Sequence, residues 1–316
     1  MAAYTVPSET DLAGLAEAYG LAAVRASPVA RGTVNSSFRL DGASGPLFLR
    51  IYEEQAFEGA RREVALLHHL ASRGARTPRP EVARDGRTVV EVAGKPAVVF
   101  PFVNGDMRCQ RAVTASAARA VGLEVARLSL AARGALAHPS RFDEDELRRR
   151  VAIIARSPLA DLASPLAEAL ERVARSRRRD LPTGMIHGDV FRDNVLWEGE
   201  APSAVLDFES AGVGAFAYDL AVVILAWTFT DRFETALVRS VVEGYQSVRP
   251  LEASEAAALH DELRFGAVRF TITRVTDCTL RGDTRKDHRR FQARLAALEA
   301  MGARGLLDAA GLVRAT

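Results

Sequence analysis

Ile186-His-Gly-Asp-Val-Phe-Arg-Asp-Asn194 is the stretch from which the rest of the chain is interpreted. A second stretch, Val205-Leu-Asp-Phe-Glu209, ends a short apolar run in a carboxylate. Short apolar runs flank Glu198-Gly-Glu-Ala-Pro202 between them, a pattern typical of strand, turn and strand. We expect this hairpin to bring Asn194 and Asp207 side by side.

The spacing of the polar residues indicates phosphoryl transfer. Asp189 is separated by four residues from Asn194, as in the catalytic loop of protein kinases. The reaction needs a carboxylate that orients the attacking hydroxyl and accepts its proton, and oxygen ligands for the Mg²⁺ that bridges the nucleotide phosphates. Asp189 suits the first role, and Asn194 and Asp207 suit the second. A lone His-x-Asp is common in surface loops, but the two stretches together are much more specific.

The same residues carry a resemblance to a known family. His187–Asn194, Leu206–Phe208 and Ala217-Tyr-Asp-Leu-Ala221 resemble the motifs of the aminoglycoside-phosphotransferase-like superfamily. The resemblance implies a two-lobed, protein-kinase-like fold of the α+β class, with an N-terminal antiparallel sheet and helix and a mainly helical C-terminal lobe. It implies ATP and Mg²⁺ as cofactors and a small molecule with a hydroxyl group as acceptor. It also makes His187 and Asp219 structural supports of the catalytic loop, although an Asp in the first turn of a helix has an ordinary explanation too.

The composition is that of a globular protein. Its 316 residues, 48% of them hydrophobic, are sufficient for a substantial core. The net charge of +2, from 42 basic and 40 acidic residues, gives no argument for a nucleic-acid partner. Cys109 and Cys278 lack the spacing of a zinc site or of a disulfide framework.

The sequence contains no signal for export or for membrane insertion. No basic segment followed by an apolar one opens the chain, and the longest apolar stretch is far shorter than a membrane span. We therefore expect a cytoplasmic protein with neither a membrane nor a nucleic-acid partner. The oligomeric state stays open.

Residues 1–105 are expected to form the nucleotide-binding lobe. After an amphipathic helix from Ser8, two predicted strands enclose a loop whose small residues let backbone N–H groups approach a phosphate closely. The loop residues assigned to ATP are Gly32, Asn35, Ser36 and Ser37. On its own this segment is an ordinary hairpin turn, and only its position ahead of the catalytic stretch favours a phosphate loop.

The third strand carries an arginine where a kinase has its phosphate-binding lysine. Arg50 lies in the alternating strand Leu47–Ile51, and Glu63 lies on the predicted helix Phe57–Ser72 that follows. The pair is assigned to ATP binding, since Arg can hold phosphate with two parallel hydrogen bonds. Arg is not a geometric copy of Lys, and a surface arginine in an arginine-rich chain is the alternative.

The first lobe is expected to end in a hinge at about residues 100–105. Pro101 and Val103 correspond to the hinge positions at which a backbone carbonyl and a backbone N–H hold adenine. Pro101 lacks an N–H but retains its carbonyl, and Val103 retains its donor. Residues 106–316 then form the helical catalytic and substrate-binding lobe. Its predicted helices span about 114–132, 143–155, 165–178, 216–229, 233–247, 254–280 and 287–301.

Within the superfamily, the chain is most similar to the homoserine kinases of this fold. The segment Arg269–Asp277 is similar to their Arg-Phe-x-x-Ser-Arg-x-x-Asp, and Lys286–Phe291 is similar to their Lys-Asp-x-x-x-Phe. An amino-acid acceptor needs a cation for its carboxylate and an acid for its ammonium, and Arg274, Asp277 and Glu209 are the candidates. Each of them has an internal ion pair as its alternative.

Three functions follow from these patterns. The leading hypothesis is an ATP- and Mg²⁺-dependent kinase that phosphorylates homoserine. A second keeps the chemistry and changes the acceptor to choline, ethanolamine or an aminoglycoside. A third is a nucleotide-binding pseudokinase with a regulatory role, for which Arg50 is the support.

Overall fold

The structure is a computed structural model and describes residues 5–22, 24–29, 34–42 and 45–312. The chain divides into two compact units. The first contains Met1–Gly105 and Ser203–Leu206, and the second contains Asp106–Pro202 and Asp207–Thr316.

An antiparallel sheet forms the centre of the first unit. Its elements, in chain order, are α1 (Glu9–Tyr19), β1 (Arg25–Pro28), β2 (Ser36–Gly42), β3 (Gly45–Ile51), α2 (Phe57–Ser72), β4 (Val90–Val92) and β5 (Lys95–Pro101). The sheet order is β1-β2-β3-β5-β4, and Arg50 lies between Ser37 on β2 and Val98 on β5. One face packs into a buried apolar cluster that includes Leu40, Leu49 and others. The predicted sheet and helix are thereby confirmed.

Helix α1 begins where the sequence predicts. The Ser8 hydroxyl accepts a hydrogen bond from the Asp11 backbone N–H, and the Asp11 carboxylate accepts one from the Ser8 N–H. This reciprocal pair satisfies two of the backbone donors that the start of any helix leaves open.

The second unit is mainly helical. Its elements are β6 (Asp106–Met107), α3 (Ala115–Ala131), α4 (Glu144–Ile154), α5 (Ala163–Ser176), β7 (Thr183–Ile186), β8 (Val195–Glu198), β9 (Ala201–Val205), β10 (Gly212–Ala215), α6 (Phe216–Trp227), α7 (Thr235–Gln246), α8 (Ala253–Asp277) and α9 (Arg289–Ala309). Strand β9 follows β8 after a tight turn at Gly199, as predicted, and its last residues belong to the first unit. Helix α9 departs from helical geometry at Gly302, next to the predicted end at Met301, and then continues.

Two short strands on either side of the catalytic stretch were not predicted. β7 and β10 pair antiparallel, with Ile186 opposite Gly212. Gly212 packs too closely against Ser140 to carry a side chain, because a Cβ at this position would approach the Ser140 Cα to 2.6 Å. Glycine-rich segments of four residues carry no strand periodicity, so a sequence pattern does not reveal them. The pairing fixes the end of β7, from which the catalytic loop starts.

Helix α6 is the buried centre of the second unit. All residues of Phe216–Trp227 are buried, as expected of a helix that is apolar on every side. It packs against α8 and α3, and the Trp227 indole N–H donates to the Val190 carbonyl at 2.9 Å. The core helix therefore holds the catalytic loop by a direct hydrogen bond.

Two glycines allow α3 and α7 to touch through their backbones. A Cβ on Gly244 would lie well within van der Waals contact distance of the Arg119 carbonyl oxygen, and one on Gly122 would clash in the same way with the Val241 carbonyl oxygen. Gly244→Ala is therefore expected to lower the free energy of unfolding by about 1–3 kcal/mol, even though alanine is the better helix former. Calorimetric melting measures this.

The control for that experiment is Ser240→Ala, on the same helix. Its hydroxyl bonds the Ala236 carbonyl within α7, and the substitution is expected to change stability by about 0.5 kcal/mol or less. Equal melting temperatures for Gly244→Ala and the parent chain would contradict the close approach of the two helices.

No helix within the described residues is both long enough and apolar enough to cross a membrane.

Candidate active site

The catalytic loop begins in a conformation that requires glycine. Gly188 has φ +74°, in the left-handed region, and a Cβ there would lie 3.2 Å from the Ser210 carbonyl oxygen. The adjacent His187 is buried, and its ring lies 4.4 Å from that of Phe208. The His187 Nδ1 accepts a hydrogen bond from the Asp189 backbone N–H at 3.2 Å. The loop is thus constrained on both sides of Gly188.

Asp219 holds this loop through the backbone. Its two carboxylate oxygens accept hydrogen bonds from the N–H groups of His187 (2.8 Å) and Gly188 (2.6 Å). Asp219 is fully buried in the first turn of α6, and burial raises its pKa, while the two backbone bonds and His187 act in the opposite direction. This arrangement agrees with the supporting role that the resemblance implies for both residues.

Asp189 and Asn194 face each other across the loop. The Asn194 Nδ2 donates to the Asp189 backbone carbonyl at 2.8 Å and to its carboxylate Oδ2 at 3.3 Å. Because the amide nitrogen points at Asp189, the Asn194 carbonyl oxygen is turned to the other side. The amide therefore orients the carboxylate and still offers an oxygen ligand.

Arg269 is the cation nearest to Asp189. Its Nη1 donates to the Gly188 carbonyl at 2.8 Å and lies 3.7 Å from the Asp189 Oδ1. The guanidinium is 3% exposed and stacks between the rings of Phe142 (4.1 Å) and Phe270 (4.0 Å). Two aromatic faces and a carbonyl thus fix this arginine beside the carboxylate.

The Asp189 carboxyl combines some exposure with a strongly perturbed pKa. Its side chain is 28% exposed, yet desolvation by the surrounding protein raises its pKa to about 6. Arg269 and Lys286 lower the pKa, whereas Asp207 raises it, so burial prevails. At neutral pH the group is largely ionised and has the basicity that a proton acceptor needs.

Asp207 adopts a backbone conformation that is uncommon for its residue type. Its φ is +66°, in the left-handed region, which Asp and Asn tolerate better than most residues.

Glu209, two residues after Asp207, is 10% exposed, and its Oε2 lies 3.8 Å from the Arg141 Nη1. The candidate role of Glu209 as an acid for a cationic acceptor stays a prediction.

Asn194 and Asp207 are of the residue types that bind magnesium. Mg²⁺ binds through one or two protein oxygens and retains water and substrate phosphate as its other ligands. Asn194 and Asp207 offer one amide oxygen and one carboxylate. No group of three or more His, Cys, Asp or Glu side chains suited to a metal occurs among the described residues, and Mg²⁺ bound in this way needs none.

In the first unit, Arg50 and Glu63 form the pair that the sequence predicts. The Arg50 Nη1 lies 3.3 Å from the Glu63 Oε1, and both side chains are largely buried, with 14% and 4% exposed. The strand and the helix thus hold the guanidinium as a kinase holds its lysine.

Two residues of the predicted phosphate loop are bound to Glu53. The Ser36 hydroxyl donates to the Glu53 Oε1 at 2.5 Å, and the Asn35 Oδ1 accepts from the Glu53 N–H at 3.3 Å. Lys95 also donates to the Glu53 carboxylate. Glu53 was not singled out from the sequence, because its three partners lie in separate segments. The Ser36 side chain is buried, and its hydroxyl is already engaged by Glu53.

The remaining residues predicted to bind ATP are Gly32, Ser37, Pro101 and Val103. Gly32 lies outside the described residues. Ser37 is half-buried on β2, and its carbonyl accepts from the Val29 N–H. Pro101 ends β5 and Val103 follows it, both of them half-buried.

The two candidates for substrate binding on α8 differ in their surroundings. Asp277 accepts a hydrogen bond from the Arg150 Nη1 at 2.5 Å, so its carboxylate already has a cation. Arg274 stacks on Phe291 at 4.4 Å and donates to the Asp287 carbonyl at 3.2 Å. Asp277 therefore takes part in an internal ion pair, which was the alternative to a substrate-binding role. Arg274 instead contacts a neutral oxygen.

The sequence patterns predicted no role for Arg269 and Lys286, although both lie in the segments that carry the resemblance. The contact between Arg269 and the loop joins residues 81 positions apart, which no local pattern reveals. Lys286 had one visible signal: it and Lys95 are the two lysines in a chain whose other basic residues are arginines.

Comparison with known proteins places the chain among kinases. A family model described as "Phosphotransferase enzyme family" matches residues 25–259. Homoserine kinases of Methylocella silvestris and Methylobacterium radiotolerans are 37% and 35% identical to it, and each match covers 88% of both chains.

Solved structures show the same fold at lower identity. An amicoumacin kinase in complex with AMP-PNP and Ca²⁺ superposes with a TM-score of 0.71 at 15% identity, over 93% of this chain and 92% of that one. A microcompartment-associated aminopropanol kinase gives 0.68 at 20% identity, over 96% and 99%. The predicted protein-kinase-like α+β fold is confirmed. The chain belongs to the phosphotransferase enzyme family and is a small-molecule kinase.

Proposed function

We propose that the chain transfers the terminal phosphoryl group of ATP to the side-chain hydroxyl of homoserine. The observation that carries this proposal is the match to homoserine kinases, at 37% identity over 88% of both chains, together with an intact Asp189–Asn194 loop. The amicoumacin kinase of the same fold was solved with an ATP analogue, which supports ATP as the donor.

Asp189 is the group that orients the hydroxyl and accepts its proton. A positioned base of this kind contributes about 10²–10⁴-fold to a rate, most effectively when its pKa lies near the working pH. The pKa of about 6 agrees with that role, as does the hydrogen bond from Asn194 to the carboxylate.

Asn194 and Asp207 are proposed to hold Mg²⁺. The bound ion would neutralise charge on the nucleotide phosphates. The chain's own contribution is to hold the two residues in place near Asp189, Asn194 through its hydrogen bonds and Asp207 through its backbone conformation.

The first unit is proposed to bind the nucleotide. Arg50, held by Glu63, would grip phosphate oxygens, and backbone N–H groups of the loop would add donors. The residues proposed here are Gly32, Asn35, Ser36, Ser37, Pro101 and Val103. An Arg50 held by an ion pair favours a working kinase over a pseudokinase, since the pair is what positions the phosphate-binding cation in active kinases.

The test is coupled ADP release with Mg-ATP and a panel of acceptors: L-homoserine, L-serine, choline, ethanolamine and an aminoglycoside. We expect homoserine to give the highest kcat/KM. Preference for choline or an aminoglycoside would retain the kinase and discard homoserine. Binding of Mg-ATP without ADP release from any acceptor would overturn the enzymatic proposal and favour a regulatory role.

Asp207→Asn is expected to weaken binding of Mg-ATP by at least about tenfold. The amide retains the shape and tolerates the left-handed backbone, but it removes the charge that attracts the cation. Titration calorimetry with Mg-ATP measures the loss, and an unchanged melting temperature without ligand shows that the fold is retained. Affinity equal to that of the parent chain would exclude Asp207 as a metal ligand.

A further inference from the structure

Arg274 is a guanidinium without a carboxylate partner. Within the described part of the chain, no carboxylate oxygen lies within 4.0 Å of it, and its hydrogen bond goes to the Asp287 backbone carbonyl. Its planar face rests on Phe291 at 4.4 Å and reaches Phe191, the second residue after Asp189, at 5.8 Å. A cation that is partly desolvated against aromatic rings normally has an anion nearby.

Lys286 stands beside Arg274 on the same side of the catalytic loop. The carbonyl that Arg274 bonds belongs to Asp287, the next residue after Lys286. The Lys286 Nζ lies 3.2 Å from the Asp193 Oδ2, and 39% of its side chain is exposed. Both cations are close enough to Asp189 for their charges to be felt there. They therefore lie near Asp189, the residue proposed to act on the acceptor.

The acids near Arg274 are engaged by other cations. Asp193 is paired with Lys286 at 3.2 Å, and Asp189 lies 3.7 Å from Arg269. The carboxylate of Asp287 is bound by Arg289 at 3.0 Å. Among the described residues, Arg274 is thus a cation beside the catalytic loop that none of these carboxylates binds.

Two other arginines, the half-buried Arg192 and the buried Arg294, have an ordinary structural explanation, which Arg274 lacks. Arg192 donates to the Ala226 carbonyl, and the Arg294 Nε donates to the Leu225 carbonyl at 2.8 Å. Both are carbonyls in the last turn of α6, where cations are favourable because the helix dipole is negative there. Arg274 caps no such helix end, since the Asp287 carbonyl precedes α9.

We infer that Arg274, with Lys286 beside it, forms a subsite for a carboxylate on the acceptor. This inference rests on the proposed function and deepens it: the substrate class is a hydroxy acid, such as an α-amino acid with a terminal hydroxyl. The guanidinium offers two parallel hydrogen bonds that match a carboxylate, and Phe291 fixes its plane. Lys286, which is paired with Asp193, adds a second positive charge beside it.

Asp277 has no part in this subsite. Its carboxylate is bound by Arg150, and the Thr276 hydroxyl donates to the same oxygen at 2.9 Å. Only Arg274 of the two α8 candidates is therefore assigned to the acceptor.

The test compares two acceptors that differ by the carboxylate alone: L-homoserine and 3-aminopropan-1-ol. In the full-length chain, Arg274→Gln retains part of the aliphatic stem but removes the charge. We expect kcat/KM for homoserine to fall by about 30-fold to 1,000-fold, and kcat/KM for the amino alcohol to change by less than about threefold. Arg274→Lys is expected to recover part of the loss, since it restores the charge without the fork.

Arg290→Gln is the matched control, because Arg290 is an exposed arginine on α9 near the same site. It is expected to change both acceptors by less than about threefold. Equal losses with the two acceptors in Arg274→Gln, or a parent enzyme that prefers the amino alcohol, would overturn the subsite.

Failure of the proposed function gives a different pattern. If the parent enzyme does not phosphorylate homoserine, homoserine is discarded as substrate, and the subsite is judged on L-serine against ethanolamine in the same way. If no acceptor reacts, calorimetric titration of homoserine and 3-aminopropan-1-ol tests the subsite instead. Equal affinity for the two compounds, or an equal loss of affinity for both in Arg274→Gln, overturns the subsite.

Discussion

Asp189→Asn is expected to lower kcat by about 10²–10⁴-fold while leaving Mg-ATP affinity within about threefold of the parent value. The amide has the shape of the carboxylate but neither its charge nor its basicity. The amide retains one oxygen, so one of the two donors that approach the carboxylate, the Asn194 amide and Arg269, keeps an acceptor. The hydrogen bond from Asn194 to the Asp189 backbone carbonyl does not depend on the substitution. The loss therefore falls on the proton acceptor and not on the shape of the loop.

The measurement is coupled ADP release at saturating homoserine and Mg-ATP, with titration calorimetry for the nucleotide. Asp180→Asn is the control, since Asp180 is an exposed carboxylate bound to Arg178. A variant of Asp189 that retains a tenth or more of the parent kcat would remove this residue from the mechanism. A large loss of nucleotide affinity would instead indicate that Asp189 contributes to the metal site.

Asp219→Ala is expected to destabilise the second unit by about 2–5 kcal/mol and to abolish most activity. The substitution leaves the N–H groups of His187 and Gly188 buried without an acceptor, and each costs about 1–3 kcal/mol. The loop they belong to carries Asp189, so loss of the bonds also releases the catalytic carboxylate from its position.

Urea unfolding and kcat measure the two effects. Asp219→Asn retains one acceptor oxygen and is expected to lie between the parent chain and the alanine variant in both. Asp231→Ala, an exposed carboxylate four residues beyond α6, serves as the control and is expected to change stability by about 0.5 kcal/mol or less. Parent-like stability of Asp219→Ala would show that other contacts hold the loop.

Much of the fold could be predicted because its signals are local. Helix α2 has the predicted bounds, and α1 begins at the predicted Ser8 cap, because both depend on residues three or four positions apart. The β7–β10 pair was missed for the opposite reason. Its glycines are required by neighbours such as Ser140, which are distant in the sequence.

The sequence by itself determined most helices and the sheet of the first unit, the spacing of Asp189 and Asn194 in one loop, and the pairing of Arg50 with Glu63. These depend on helix and strand periodicity or on a motif whose members are close along the chain. Only the tertiary structure decided the charges around the loop: that Arg269 faces Asp189, and that Asp277 is already paired with Arg150, 127 positions away. The physical reason is that charge partners are chosen by distance and burial in space, and an arginine-rich sequence offers many cations that are locally equivalent.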